Sequence, residues 1–196
     1  MKALGRPLEF DHQDALDAAT EVFWSRGYEV ASMAELLKAM GLSKSSMYQS
    51  FGSKEGLFRC CLDRYASAQA DGMHALLAQA ASGREFIESV FAGIAETAGE
   101  PEGAKGCLMV NSASEFGQSD PLVALTIGAA LHPISAVFVA AIQRAQRENQ
   151  ITSDADAAAL ASYIQVAISG LRTMIKAGID KQTAQTTVAL ILKVLD

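Results

Sequence analysis

The sequence predicts an all-α protein of about nine helices, with a small N-terminal three-helix unit followed by a larger helical domain. Three observations carry this expectation. Apolar residues recur at helical spacing along most of the chain, Ser and Asp stand where those stripes begin, and Gly stands where several of them end. Alternating strand patterns flanked by turn dipeptides are absent.

Asp11 is an N-cap residue, and Leu16, Ala19, Val22 and Phe23 form one apolar stripe before Gly27. Ser32-Met33-Ala34-Glu35 reads as a capping box, in which Ser binds the amide three residues on and Glu reaches back. A second helix therefore starts near Met33, runs through Leu36 and Leu37 to Met40, and stops at Gly41. Ser43 opens a very short third helix reaching about Ser50, and Gly52-Ser53 breaks it and opens a long fourth, Lys54 to about Ala80. Ser82-Gly83-Arg84-Glu85 is another capping box, with a helix to about Ala98 and a loop at Gly99-Glu100-Pro101-Glu102-Gly103. Residues 106–117 form a short helix, and Ser119-Asp120-Pro121 opens a long one that Pro133 should kink. Ser153 and Asp156 open the next, reaching Gly178, and Asp180 caps the last, to Leu195.

The net charge is −6, which taken alone argues against nucleic acid, but its distribution matters more. Residues 1–65 carry eight Lys/Arg against nine Asp/Glu, whereas 66–196 carry eight against thirteen. No acid lies between Glu35 and Glu55, and Lys38, Lys44 and Lys54 fall in that gap, so one segment is locally cationic on an acidic chain. Cys60, Cys61 and Cys107 are an odd count, and two adjacent cysteines are a poor basis for a disulfide framework. A reducing cytoplasm fits best. The N-terminus lacks the apolar core of a signal peptide. Pro121 to Ile142 is uncharged and long enough to span a bilayer, yet with His132-Pro133 at its centre it reads as a buried helix, and no membrane partner is expected.

Two short helices joined at Gly41 have the length and spacing of a helix-turn-helix, whose first helix is buried through Met33, Leu36, Leu37 and Met40. Its second must show small polar and cationic side chains to a major groove. Residues Ser43 to Ser50 meet that demand, with Met47 left for the core. Lys44 and Gln49 can reach base edges, Ser45, Ser46 and Tyr48 suit phosphate or sugar, and Lys54 adds a point charge at the next helix start. Ser32 and Ser43, at the two helix starts, complete this DNA-facing set. Phe51, Leu57 and Phe58 are core.

Ser32 to Leu37, Gly41-Leu42-Ser43, Ser46-Met47-Tyr48, Phe51, Ser53-Lys54-Glu55 and Leu57-Phe58, preceded by Phe23 and Gly27-Tyr28, resemble the N-terminal signature of the TetR family of regulators. Ser32 stands where that family usually has Thr, which keeps the cap. Gly5-Arg6-Pro7 resembles the arm that many members lay along the minor groove, so Arg6 joins the expected DNA contacts. The resemblance implies a DNA-binding domain over 1–55 and an effector-binding and dimerisation domain over 56–196. It implies a transcription regulator acting on double-stranded DNA as a homodimer, a repressor released by a small-molecule effector. Two recognition helices would then read a pseudo-palindromic operator.

It implies too that the last two helices pair with those of a second subunit. The abundance of small and apolar residues there agrees, and Ala161, Ile164, Ile168, Leu171, Val188 and Leu192 are the expected interface. Effector pockets in relatives lie between the fourth helix and the one containing Pro133, which makes Phe86, Phe91, Cys107, Met109, Asn111, Phe116, His132 and Phe138 the candidates. Aromatics and Met at helical spacing serve equally as plain core. Asn111 and His132 each need a polar partner, which ligand or backbone could supply.

Lys105-Gly106-Cys107-Leu108 resembles a helix start in a branch of the family that includes electrophile and oxidant sensors. A thiol in a first helical turn feels unpaired amides, and Lys105 adds charge, although Cys also packs well as a small apolar residue. His12, His74 and His132 are scattered, and no metal-ligand spacing, nucleophile elbow or phosphate-binding glycine loop is present, so no enzyme, cofactor or metal is expected. The rival reading is a helical adaptor that does not touch DNA.

Overall fold

The computed structural model describes residues 11–116, 121–152 and 155–196, and among these every regular element is helical. The chain divides into two compact units, one ending at Tyr65 and the other spanning Ala66–Asp196.

In the first unit, α1 (His12–Arg26) is capped by the Asp11 carboxylate, which accepts from the amides of Gln13 and Asp14 at 2.7 and 3.3 Å. Then come α2 (Met33–Met40), α3 (Lys44–Phe51) and α4 (Lys54–Gln79). Leu16, Ala19, Phe23, Leu36, Met47, Phe51, Leu57 and Phe58 are buried, each Leu, Met and Phe side chain contributing on the order of 1.5–3 kcal/mol relative to exposure. The Phe58 ring stands edge-on to Phe23 at 4.9 Å and lies 5.0 Å from Tyr28. The first unit ends further along α4 than the boundary expected at residue 55. The reason is packing, since Leu57, Phe58, Cys61, Leu62 and Tyr65 on α4 are all buried. Across its surface Arg64 donates two hydrogen bonds to Asp17, at 2.8 and 2.9 Å, which hold that carboxyl below its ordinary range.

α3 and α4 meet at a glycine for a steric reason. A Cβ on Gly56 would sit 2.2 Å from the Phe51 carbonyl oxygen, so no larger residue fits without moving backbone.

The second unit contains α5 (Gly83–Glu96), α6 (Pro101–Lys105), α7 (Leu108–Phe116), α8 (Pro121–Arg147), α9 (Ala157–Lys176) and α10 (Lys181–Ile191), which ends in a 3₁₀ turn, Leu192–Leu195. The capping serines and aspartates act as expected at Ser82, Asp156 and Asp180, while Ser119, Asp120 and Ser153 lie outside the described residues. The segment expected as a loop at 99–103 instead contributes to the single turn α6, because Pro101 at its first position is preset for a helix. One core joins α5, α8, α9 and α10 through Phe86, Phe91, Phe138, Ile142, Leu160, Ile164, Leu171 and Val188. Arg144 on α8 donates to the carbonyls of Leu77, Ala80 and Ala81 at 3.4, 3.2 and 2.7 Å, so its guanidinium satisfies chain-end acceptors at the close of α4, and Glu148 holds it at 2.9 Å.

α8 runs on through Pro133. Its second half is buried as expected, through Ile134, Val137, Phe138, Ala141 and Ile142, but its first half is buried on one side only, through Val123, Ile127 and Ala130, and Leu122, Leu125 and Leu131 are 53, 68 and 38% exposed. α8 and α9 are each long and apolar enough to cross a membrane.

Candidate functional site

The two helices of the expected reading unit form as their caps require. The Ser32 hydroxyl accepts from the Glu35 amide at 3.2 Å and donates to the Glu35 carboxylate at 2.8 Å, and the Ser32 amide donates to that carboxylate at 3.0 Å. These bonds, led by the backbone amide, hold the Glu35 carboxyl below its ordinary range. Gly41, at φ 65°, turns the chain through a left-handed conformation that glycine tolerates. Ser43 then opens α3, its hydroxyl accepting from the Ser46 amide at 3.1 Å and sharing a hydrogen bond with the Ser46 hydroxyl at 2.9 Å.

α3 is two-faced. Met47 and Phe51 are buried, whereas Lys44, Ser45, Tyr48 and Gln49 are exposed and Ser46 is half-buried. The Lys44 Nζ lies 6.0 Å from the Tyr48 ring centre, and the helix carries no acid. Lys54 is half-buried at the start of α4, its Nζ 4.4 Å from the centre of the Tyr28 ring, close enough for a cation–π contact that fixes the charge in place. Sequence reasoning recognised Tyr28 only as the end of the first helix, and this positioning contact was visible in no local pattern. Ser32 and Ser43 cap α2 and α3 as expected, so their hydroxyls are engaged with the helix starts. Arg6 lies outside the described residues.

Of the expected pocket residues, Phe86, Phe91 and Phe138 belong to the core of the second unit, and Met109 borders a cavity. Phe86, Phe91, Met109 and Phe138 are almost fully buried, with Phe86 and Phe138 rings 5.7 Å apart inside the core. Asn111 is half-buried, and its Nδ2 donates to the Lys105 carbonyl at 2.9 Å, so backbone supplies its partner. His132 is exposed, while Cys107 and Phe116 are half-buried. A cavity of about 330 Å³ does open between α7, α8 and α9, and of the expected residues it uses Met109; Val110, Ala113, Ser114, Ile127, Leu131 and Ser169 complete it. The Ser114 and Ser169 hydroxyls donate to their own helix at Val110 and Gln165, which leaves oxygen lone pairs as acceptors in an otherwise apolar lining.

Burial corrects four of the six expected subunit-contact residues: Ala161, Ile164, Leu171 and Val188 are 0, 1, 3 and 8% exposed and hold the protomer together, while Ile168 and Leu192 pack against the same core but are only half-buried. The apolar side chains left facing outward on α9 and α10 are Tyr163, Val166, Met174 and Leu190, 42, 72, 52 and 60% exposed. Beside them Gly170, Thr183, Thr187 and Ile191 line a groove of about 390 Å³. Both faces of α9 are apolar, and periodicity alone does not say which one the chain keeps for itself.

Burial pushes the Cys61 thiol up to about 12, and its Sγ lies 3.8 Å from the Leu16 carbonyl; burial and Asp63 push Cys60 up as well. Among the described residues no group of three His, Cys, Asp or Glu side chains is placed to hold a metal.

A short helix held by its apolar side behind a capped partner, with an acid-free polar edge outward, defines the reading unit of a helix-turn-helix protein. Residues 15–61 match the family model for bacterial regulatory proteins of the tetR family, and residues 83–191 match that for the tetracyclin repressor-like C-terminal domain. The HTH-type transcriptional repressor ComR of Escherichia coli (strain K12) is 31% identical over 194 residues, covering 96% of this chain and 92% of ComR. Among solved structures, a cysteine variant of the TetR family transcriptional regulator CifR, complexed with 26-base-pair double-strand operator DNA, has a TM-score of 0.83 at 30% identity, covering 97% of this chain and all of the other. Reduced NemR of E. coli shares the fold, with a TM-score of 0.85 at 18% identity over 94% of this chain and 96% of NemR. The chain belongs to the TetR family of bacterial transcriptional regulators.

Proposed function

We propose that this regulator is a cytoplasmic homodimeric repressor that holds a pseudo-palindromic operator through α3 of each subunit and releases it when a small molecule enters the second unit. The observation that carries the reading is the outward edge of α3. Lys44 and Gln49 contact bases, Ser45 and Tyr48 contact phosphate or sugar, and Lys54 contacts a phosphate at the start of α4, where backbone amides also favour an anion. Ser32, Ser43 and Ser46 serve mainly by fixing the helix starts, and Arg6 reaches the minor groove. The subunits meet through the outward apolar face of α9 and α10, around Val166, Gly170 and Met174, rather than through the residues already buried in the protomer. The repressor activity of ComR and the operator complex of CifR support the reading.

A gel-shift titration with DNA from the gene's own upstream region tests it. Binding should be tight at 50 mM salt and fall steeply by 200 mM, on the order of a thousandfold for six phosphate contacts. An adaptor or an enzyme would not shift the duplex. Retention of operator binding when Lys44, Tyr48 and Lys54 are all replaced by Ala would remove the site assignment. The effector enters the cavity lined by Met109, Ile127, Leu131 and Ser169, one wall of which is the helix that follows Cys107. Where the effector is an α,β-unsaturated carbonyl compound, the Cys107 sulfur adds to its β-carbon, the S–C bond forming as the C=C π pair shifts to the α-carbon, which takes up a proton, the thiol's own proton going to solvent. An unchanged electrophile response in Cys107→Ser would remove that part alone.

A further inference from the structure

We infer that the first half of α8 is a third element of the subunit contact, so that a second copy of the chain covers Leu122, Leu125 and Leu131 and closes the cavity beside them. The inference rests on the homodimer reading and extends it to a surface on a helix before the last two. α8 is apolar on every side, with a window of mean hydropathy 2.0, yet only 28% of that window is buried within the chain. A helix of that kind in a soluble protein is covered by something. Its exposed side presents Pro121, Ala124, Leu125, Gly128 and Ala129 around an open depression, and a Cβ on Gly128 would meet nothing within 4 Å, so a neighbouring helix has room to come close.

A second copy is the occupant for two reasons. The surface adjoins the face proposed for the dimer, because the exposed Leu131 of α8 borders the α7–α8–α9 cavity together with Ser169, and the next residue, Gly170, lines the α9–α10 groove. None of the residues lining the cavity, the groove or the depression is charged, on a chain whose net charge is −6. Two such chains repel elsewhere and can approach over this uncharged stretch, whereas a cationic or acidic partner would find no counter-charge on it. The consequence is chemical. The effector cavity lacks a wall in the isolated protomer, and the partner subunit completes it, so ligand and subunit contact are linked at one place.

The test compares Leu125→Asp with Val166→Asp in sedimentation equilibrium, with circular dichroism as a check on folding. Both side chains are exposed in the protomer, so neither substitution disturbs its core. Val166→Asp should raise the dimer dissociation constant by about a hundredfold or more, and Leu125→Asp by at least about tenfold, because each places two carboxylates in an apolar contact. Radical footprinting supplies a second readout, with Leu122, Leu125 and Leu131 labelled more heavily in the Val166→Asp monomer than in the native protein. If Val166→Asp separates the subunits while Leu125→Asp leaves the constant unchanged and the footprint does not move, the inference fails and the α9–α10 dimer stands. Separation by Leu125→Asp alone keeps the α8 contact and overturns the α9–α10 assignment. If neither variant separates them, both fail. Loss of liposome co-flotation in Leu125→Asp with an unchanged dimer constant would assign the surface to lipid and overturn the inference.

Discussion

Lys54 and Tyr28 offer a way to separate a charge from its placement. With the proposed phosphate contact at Lys54, Lys54→Ala would remove one contact per subunit, and each contributes about 0.9 to the slope of log affinity against log salt, so the dimer's slope should become shallower by about 1.8. Tyr28→Leu keeps the charge and removes the ring that holds it at 4.4 Å. A cation–π contact at a half-exposed site is worth on the order of 0.5–1 kcal/mol, which over two half-sites weakens binding about fivefold to thirtyfold while leaving the salt slope as it was. Fluorescence anisotropy with a labelled operator between 50 and 200 mM salt measures both quantities. Thermal melts confirm that Tyr28→Leu, whose ring also touches Phe23 and Phe58, remains folded. The reasoning is refuted if Lys54→Ala leaves the slope unchanged, or if Tyr28→Leu flattens it as much as removing the lysine does.

Gln49→Ala should weaken operator binding by about 1–3 kcal/mol and relax preference at one base position per half-site, which a library of single-base operator variants would show; equal loss on every sequence would instead mark a phosphate contact. Gly56→Ala should destabilise the first unit by roughly 1–3 kcal/mol in urea denaturation, since its Cβ meets the Phe51 carbonyl oxygen at 2.2 Å, and wild-type stability would mean that the α3–α4 junction relaxes freely. Cys61 should resist alkylation at pH 8 until the protein unfolds. Its thiol keeps its proton to about 12 in the folded chain but loses it near 9 once unfolded. That contribution to stability is therefore complete below pH 9 and falls by about 1.4 kcal/mol per unit as pH rises toward 12. A Cys61→Ala protein losing the same stability over that window would show that other groups carry the effect.

The fold was legible where the sequence carries local stereochemistry. Asp11, Ser32, Ser43, Ser82, Asp156 and Asp180 each cap the helix that follows, and Gly27 and Gly41 close helices at positive φ. The α3 edge was legible for the same reason, because Ser43 fixes the register and Met47 then fixes which side is buried. What could not be read is the choice between equivalent apolar faces. α9 offers Ile164 and Leu171 on one side and Val166 and Met174 on another, and only packing against α5 and α8 decides which pair the protomer keeps. The cavity between α7, α8 and α9 was not legible either, since most of its lining is smaller residues that no motif marks, while Phe86 and Phe138 meet each other in the core. Lys54 gains its precision from Tyr28, a partner far enough away in sequence that neither helix pattern announces it.

The guanidinium of Arg144 reaches three carbonyls at the close of α4 while standing on the same helix as Ile127 and Leu131. A small molecule that wedges into the space beside those two side chains therefore pushes on a rod whose opposite end is hooked to the tail of α4. Lysine in that position would have no fork with which to span three acceptors, and the hook would slip.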